Sequence, residues 1–252
     1  MARQSRDPGR EFIPPVSKVR LQYAKRGRMR FSSHRDFQRA FERALRRANV
    51  AMAYSAGFRP HPKISYANAA PTGAASQAEY IEIGLAEHRD IDDLLTALNA
   101  AMPTGLDIVD AVEARTPELS NRLEASVWQL EFPDVDAQQV QAAVDKLMSQ
   151  VEVPVERMTK NGVRRFDARS PIAHAEVSID APDADRCAIL TVVVTHGTPS
   201  VRPDDVLAAL RGVADLVPPV PVRVTRLAQG PLNADAATVS DPLAPDRAAA
   251  DQ

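Results

Sequence analysis

The chain has 252 residues, 44% of them apolar and 25% charged, with one cysteine and a formal net charge of −2; that length favours two small domains over one large one. No apolar run approaches the roughly 20 residues of a membrane-spanning helix, and the opening MARQSRDPGREFIPPVSK has charges but no apolar segment behind them, so it does not read as a signal peptide. The lone Cys187, inside RCAILTVVVT, excludes an internal disulfide and an iron–sulfur cluster held by this chain alone.

The apolar neighbours of Cys187 mark it as a core thiol rather than a nucleophile, and a cytoplasmic protein is expected. The small net charge hides a split. Through Lys63 there are 16 Lys+Arg against 4 Asp+Glu, a net of +12, and the remainder holds 15 against 29, a net of −14. Such asymmetry points to a basic binding surface. Attraction between the halves, or an acidic protein partner, is the competing explanation.

Residues 1–16 read as a disordered leader. KVRLQYAK then alternates Val19, Leu21 and Tyr23 with Lys18, Arg20 and Gln22, the pattern of a strand with one wet face. RGR turns the chain, and MRF extends the strand or starts a partner. Ser32 or Ser33 caps the helix HRDFQRAFERALRRANV, whose apolar stripe is Phe37, Ala40, Phe41, Ala44, Leu45 and Ala48. A short extended AMAYS leads into a rigid connection, after which AEYIEIGL alternates as a strand. DIDDLLTALNAAMP is helical, with aspartates in its first turn and Pro103 beyond its end. GLDIVDAVEA returns as a strand.

Strand, helix, strand, strand, helix, strand is the order of the ferredoxin-like βαββαβ motif, here over residues 17–116. RTPELSN is a linker. The pattern repeats over residues 122–230: RLEASVWQLEFP, the helix DAQQVQAAVDKLMSQ, VEVPVERM, further strands in GVRRFDARSPIAHAEVSID and RCAILTVVVTHG, the helix RPDDVLAALRG, and the strand PVRVTRLAQG. The expected class is α+β, with tandem ferredoxin-like domains; one sheet shared by both halves is the alternative. Residues 231–252, rich in Ala, Asp and Pro, read as a disordered tail.

Arg35, Arg39, Arg43, Arg46 and Arg47 recur every three or four residues and line one side of the first helix. Glu42 is placed to pair with Arg46, and Asp36 with Arg35 or Arg39. Most of these cations lack an acidic neighbour, and a phosphate-bearing partner would relieve their repulsion. In the connection FRPHPK, Gly57 permits a left-handed turn, while Pro60 and Pro62 stiffen an extended backbone on which Arg59, His61 and Lys63 alternate. Phe58 either anchors this loop or stacks a base. The small-residue loop around Gly73 brings backbone N–H groups within reach of a phosphate, but without the GK[ST] ending it is no P-loop.

Other chemistry is thinner. His61, with Lys63 or Arg59 beside it, and His34 at the helix start are the candidates for acid–base work on RNA, since a histidine takes a 2′-hydroxyl proton while a cation stabilises the developing charge. Helix capping and loop ordering are the plainer roles for both. His88, His174 and His196 lack paired ligand spacing, so no metal is expected. Asp90, Asp92 and Asp93 suit a helix N-terminus, Glu79 and Glu82 fall on opposite faces of a strand, and Asp167 with Arg169 reads as an internal ion pair. There is no CxxxCxxC motif and no cofactor is expected.

The run RFSSHRDFQRAFERALRRANVAMAYSAGFRPHPKISYANAAPTGAASQAEYIEIGL resembles the radical-SAM-linked family, domain of unknown function 2344. The match runs over most of Lys18 to Leu227 and is strongest through Leu85. FDARSPI is similar to that family's DIRP-like element, with Ala168 where an isoleucine is usual. The family's members stand alone, or are fused to or encoded beside a radical-SAM protein, and often neighbour an RNase of the E/G type and ribosomal proteins. A fainter similarity reaches repeat-associated RNA-processing proteins, including CRISPR repeat endonucleases, some of which cut RNA without metal. That gene neighbourhood, taken with the +12 segment, points to a non-catalytic RNA-binding accessory protein that positions tRNA or rRNA for a radical-SAM or other RNA-modifying enzyme. The alternatives are a protein-interaction module for a radical-SAM partner and a metal-independent endoribonuclease using His61.

Overall fold

A computed structural model of the protein describes residues 14–56, 59–160, 162–179 and 187–250. In chain order these form β1 (Ser17–Lys25), α1 (His34–Arg47), β2 (Ile64–Ala67), β3 (Ala75–Leu85), α2 (Ile91–Ala101), β4 (Ile108–Glu113), β5 (Ala125–Pro133), α3 (Ala137–Met148), β6 (Pro154–Thr159), β7 (Gly162–Asp167), β8 (Ile172–Ile179), β9 (Cys187–Thr195), α4 (Pro203–Ala214), β10 (Arg223–Gly230) and α5 (Ala244–Ala248). The class is α+β, as the sequence predicts. The residues group into two units. Those of the first lie within Met1–Thr72, Glu79–Leu119 and Leu243–Gln252, and those of the second within Gly73–Ala78 and Ser120–Pro242. Among the described residues, no helix is long and apolar enough to cross a membrane.

In the first unit β4 runs antiparallel to β1, β1 neighbours β3, and β2 pairs antiparallel with β3. The inward residues of β1 are the predicted Val19, Leu21 and Tyr23, and they meet Phe37, Phe41 and Leu45 of α1 and Leu94 and Leu98 of α2. Tyr23 and Phe37 stack with ring centroids 4.1 Å apart. Each such side chain taken fully out of water stabilises the fold by about 1.5–3 kcal/mol. The first helix starts at the predicted cap, and the Asp90, Asp92 and Asp93 cluster falls at the start of the second, with Asp90 itself as its cap. Ser33 and Asp36 form a reciprocal capping box on α1, and Asp90 accepts from the amides of Asp92 and Asp93 on α2. Asn49, with φ of 51°, ends α1 in the left-handed conformation that asparagine tolerates, and Arg89 donates to the Ala48 and Asn49 carbonyls.

In the second unit four strands run in the order β10-β5-β9-β8, antiparallel throughout. Ala75 and Ser76 of β3 add to β10 in parallel. Trp128, Leu130 and Phe132 alternate on β5 and are buried, as are Val140, Val144 and Leu147 of α3 and Val206 and Leu210 of α4. Cys187 is a free, buried thiol.

The second unit departs from expectation in two places. VEVPVERM does not join the main strands: β6 and β7 form a separate two-stranded hairpin. Asp167 and Arg169 make no ion pair. The Asp167 carboxylate accepts the amides of Val153, Arg169 and Ser170 and the Ser170 hydroxyl, while the Arg169 guanidinium donates to the carbonyls of Met148 and Ile172. A carboxylate can close such a turn only by accepting local N–H groups, so it is spent before the arginine can reach it. The expected disordered leader falls, for residues 1–13, outside the described residues, as do Gly57 and Phe58.

The largest departure concerns β1 and the tail. Arg20, placed by alternation on a wet face, is 2% exposed, and Asp246 of α5 is 1% exposed. Arg20 Nη1 lies 2.6 Å from Asp246 Oδ2, its Nε is 3.0 Å from Glu82 Oε2, and its Nη2 donates to the Thr116 carbonyl at 2.7 Å. The other Asp246 oxygen accepts the Arg115 and Thr116 amides and the Thr116 hydroxyl. The described end of the tail, around α5, is therefore folded. Residues 231–240 are ordered too, in the second unit, where Leu232 and Val239 pack on Ala125, Val127 and Val193. A composition poor in large apolar groups suggested disorder; buried polar pairing and a few small contacts outweigh it.

Removing one partner of a buried, hydrogen-bonded ion pair leaves an uncompensated charge, at a cost of about 3–5 kcal/mol. Asp246→Ala should lower the unfolding free energy by that order in a urea titration. Arg20→Met combined with Asp246→Leu should cost less than the single change. Burial alone would raise the Asp167 carboxyl, but its hydrogen bonds from Ser170, Val153 and Arg169 hold it at about 2. A carboxyl depressed on folding contributes stability above its unfolded value, lost as pH falls through the folded one. Asp167→Asn should flatten the loss of stability between pH 3.8 and about 2, read from denaturant midpoints across that range.

Candidate nucleic-acid interface

The cation excess of the first 63 residues sorts itself by location. Lys18 pairs with Glu82 and Arg26 with Asp107, Arg20 is buried, and Lys25, 5% exposed, reaches the Ala70 and Pro71 carbonyls. These four serve the fold. Arg35, Arg39, Arg43, Arg46 and Arg47 are all exposed. Helical geometry requires this: Phe37, Ala40, Phe41, Ala44 and Leu45 are buried, and residues three or four apart share a face.

None of these five arginines makes an ion pair with a described residue. The expected Glu42–Arg46 bridge does not form, and the charge of half-buried Glu42 acts on Tyr66 instead. Asp36 is committed to the cap, accepting the Ser33 hydroxyl at 2.7 Å and its amide at 3.2 Å. Those two bonds from Ser33, with the charges of Arg39 and Arg35 adding to them, hold its carboxyl below the usual range. Arg46 and Arg47 sit in the last turn, where the helix dipole favours cations. Arg35 is in the first turn, where the dipole disfavours them, and each exposed like-charge pair costs a few tenths of a kcal/mol. Helix stability therefore does not explain the amino-terminal end of the stripe.

The connection after α1 is a tethered hairpin. Tyr54 bridges Pro62 and Met52 bridges Leu85. The Lys63 amide donates to the Ala53 carbonyl, the Gly84 amide to the Lys63 carbonyl, and the Ala53 amide to the Gly84 carbonyl. A Cβ on Gly84 would stand 3.2 Å from the Lys63 Cβ, so glycine suits this close approach. His61 is fixed through its amide to Ser55 Oγ at 3.0 Å. Arg59, Pro60 and His61 are exposed at the tip, and Lys63 is half-buried. His61 and Lys63 flank the bridged Pro62. Gly57 lies outside the described residues. Gly73 belongs to the second unit, and its φ of +97° explains the glycine as a turn residue.

His34 opens α1, exposed. Its Nε2 lies 3.0 Å from Gln38 Nε2, and its ring meets Tyr66 edge-on at 4.8 Å. Tyr66 in turn packs edge-on against Phe37. No contact joins His34 to His61. The His61 ring has no hydrogen-bond partner among the described residues, so nothing described orients it as a general base would require. In the second unit His196 lies 2.8 Å from Ser126 Oγ and 2.6 Å from the Leu123 carbonyl. Burial pushes its imidazole down, and Ser126 is 1% exposed, which makes this a structural link. Among the described residues no group of His, Cys, Asp and Glu side chains is clustered to hold a metal ion.

Sequence reasoning missed the turn before α1. MRF does not extend β1; Gly27–Phe31 form a 3-10 turn. It presents Phe31, with the Arg30 guanidinium 4.7 Å from its ring centroid. An aromatic wedged among arginines just before a cap serine was the available signal.

The chain belongs to the family described as "Uncharacterized protein conserved in bacteria (DUF2344)", which it matches over residues 18–203. No curated protein matches it. Among solved structures, an unknown protein from Galdieria sulphuraria is similar at 16% identity and a TM-score of 0.24, over 83% of this chain and 98% of that one. The encapsulated DyP-type peroxidase from Mycobacterium smegmatis is similar at 11% identity and a TM-score of 0.21, over 86% of this chain and 92% of that one. The dye-decolorizing protein from V. cholerae follows at 10% identity and a TM-score of 0.20, over the same shares. At such TM-scores neither fold nor activity carries over.

Burial, with the Glu42 charge adding to it, pushes the Tyr66 phenol up to about 12. In an absorbance titration of tyrosinate, Tyr66→Phe should lose amplitude in that range relative to the wild type.

Proposed function

We propose that this chain is a non-catalytic, cytoplasmic RNA-binding accessory protein. In this reading the arginine face of α1 and the Arg59, His61 and Lys63 hairpin hold an RNA, with tRNA or rRNA the natural candidates, for a radical-SAM or other RNA-modifying enzyme. One observation carries the reading: five exposed arginines on one helix make no ion pair with a described residue, and Arg35 stands where the helix dipole disfavours it. Phosphates would remove both penalties. Arginine is suited to them, because its planar fork matches phosphate oxygens in pairs.

We also infer that the two units are tandem ferredoxin-like halves. What supports this is the element order β1 α1 β2 β3 α2 β4 with strands ordered β4-β1-β3-β2 in the first. The second offers β5 α3 β8 β9 α4 β10 with strands ordered β10-β5-β9-β8, the β6–β7 hairpin being an insertion.

Filter binding of RNA across a salt series tests the function. Phosphate contacts make log K fall with log salt, and each phosphate deprived of its cation should flatten the slope by about 0.7 on single strands. Arg39→Ala with Arg43→Ala should weaken binding similarly for all RNA sequences and give a shallower slope. Absence of binding at low salt, with an enzyme co-purifying after nuclease treatment, would instead make the basic face a docking surface for an acidic protein.

A further inference from the structure

Resting on the RNA reading above, we propose that Phe31, backed by Arg30, is a nucleobase-stacking subsite, so that the RNA held along α1 is single-stranded. Phe31 is 59% exposed. The first unit has ample aromatic core without it, since Phe37 and Phe41 stack at 5.7 Å inside. It is not the apolar staple that often precedes a helix, because that position, immediately before the Ser33 cap, is Ser32. A ring this exposed on the surface can meet a planar ligand.

The ring is held ready for one. Met29 of the same turn packs on the core, and the Ser32 amide donates to the Met29 carbonyl. The Arg26 amide donates to the Gly105 carbonyl at 2.8 Å, and the Arg26 side chain pairs with Asp107 at 3.1 Å. The turn is thus fixed at both ends. The Arg30 guanidinium lies over Phe31, and Arg30 Nε is buried without a hydrogen-bond partner. A cation on one side of a ring and a base on the other form a stack that also draws in the neighbouring phosphate. Arg35, in the first turn of α1, follows Phe31 by four residues across the extended Ser32 and Ser33, so a strand stacked on the ring would run on towards the start of the arginine stripe. A duplex keeps its bases paired inside and cannot offer one to this ring; a single strand can.

Three labelled probes separate the possibilities: a short single-stranded RNA, the same strand made abasic throughout with its phosphates kept, and the RNA duplex. Binding is measured for the full chain, Phe31→Ala and Phe31→Trp. The wild type should prefer the base-bearing single strand to both other probes. Phe31→Ala should lose roughly 5- to 150-fold on that strand, the range for a base-stacking ring. It should lose nothing on the abasic strand and keep the salt slope, and Phe31→Trp should restore affinity. Equal affinity of Phe31→Ala and wild type for the base-bearing strand overturns the subsite while leaving RNA binding standing. Equal loss on the base-bearing and abasic strands overturns it in favour of a packing role. Failure of the wild type on all three probes overturns the RNA reading itself.

Discussion

A guanidinium with nowhere to go but inward organises the first unit. Arg20 projects from β1 on the face opposite Val19, Leu21 and Tyr23, and that face is closed over it. Taking such a charge out of water costs several kcal/mol, recovered only when its donors find good acceptors. Glu82 on β3, the Thr116 carbonyl after β4 and Asp246 on α5 supply them. Burial alone would raise the Glu82 carboxyl, yet hydrogen bonds from Lys18 and Arg20 with their charges hold it below its ordinary value. Its contribution is therefore present above the ordinary glutamate range and is lost as pH falls through the folded value. The dependence runs both ways. A helix of five residues has no independent stability in water, so α5 exists because Asp246 and the Arg247–Asp110 pair hold it.

What was legible in the sequence is what local chemistry decides. The alternation of β1, the Ser33 cap, the aspartates at the start of α2, the apolar stripe of α1 and the buried Cys187 each follow from neighbours within a few residues. What was not legible depends on partners far along the chain. Arg20 and Asp246 are 226 residues apart, and no pattern around Arg20 distinguishes it from an exposed strand cation. The β6–β7 hairpin was hidden for a related reason. Its strands read as strands, but which strands they pair with is a tertiary choice that alternation does not make. Asp167 and Arg169 failed differently: an acid and a base two residues apart look like a pair, yet the backbone amides two and three residues on are nearer competitors for the carboxylate.

The candidate site was partly readable for the same reason that α1 was. Once Phe37, Phe41 and Leu45 are assigned inward, helical periodicity places the arginines outward with no freedom left. Counting charges alone overstated the surface, because Lys18, Arg20, Lys25 and Arg26 turn out to serve the fold. Among the described residues the exposed cations that remain lie on α1, at the hairpin tip and, as Arg28 beside Arg30 and Phe31, in a 3-10 turn where an extended strand was equally consistent with the residues.

Rigidity is the property these observations share. The arginine helix is capped at its start by Ser33 and Asp36, closed at its end by Arg89 and packed along its whole inner side. The hairpin is tied at Ala53, Lys63 and Gly84 through its backbone. A surface already ordered loses little entropy when a ligand arrives, so under the proposed function more of each phosphate contact would appear as affinity. Rigid spacing of cations also carries no base code, since phosphate contacts are blind to sequence. On the proposed RNA reading, any preference among RNAs would come from which strands fit the spacing and can present an unpaired base, and a net charge of −14 over the rest of the chain would disfavour adsorption of the same polyanion elsewhere.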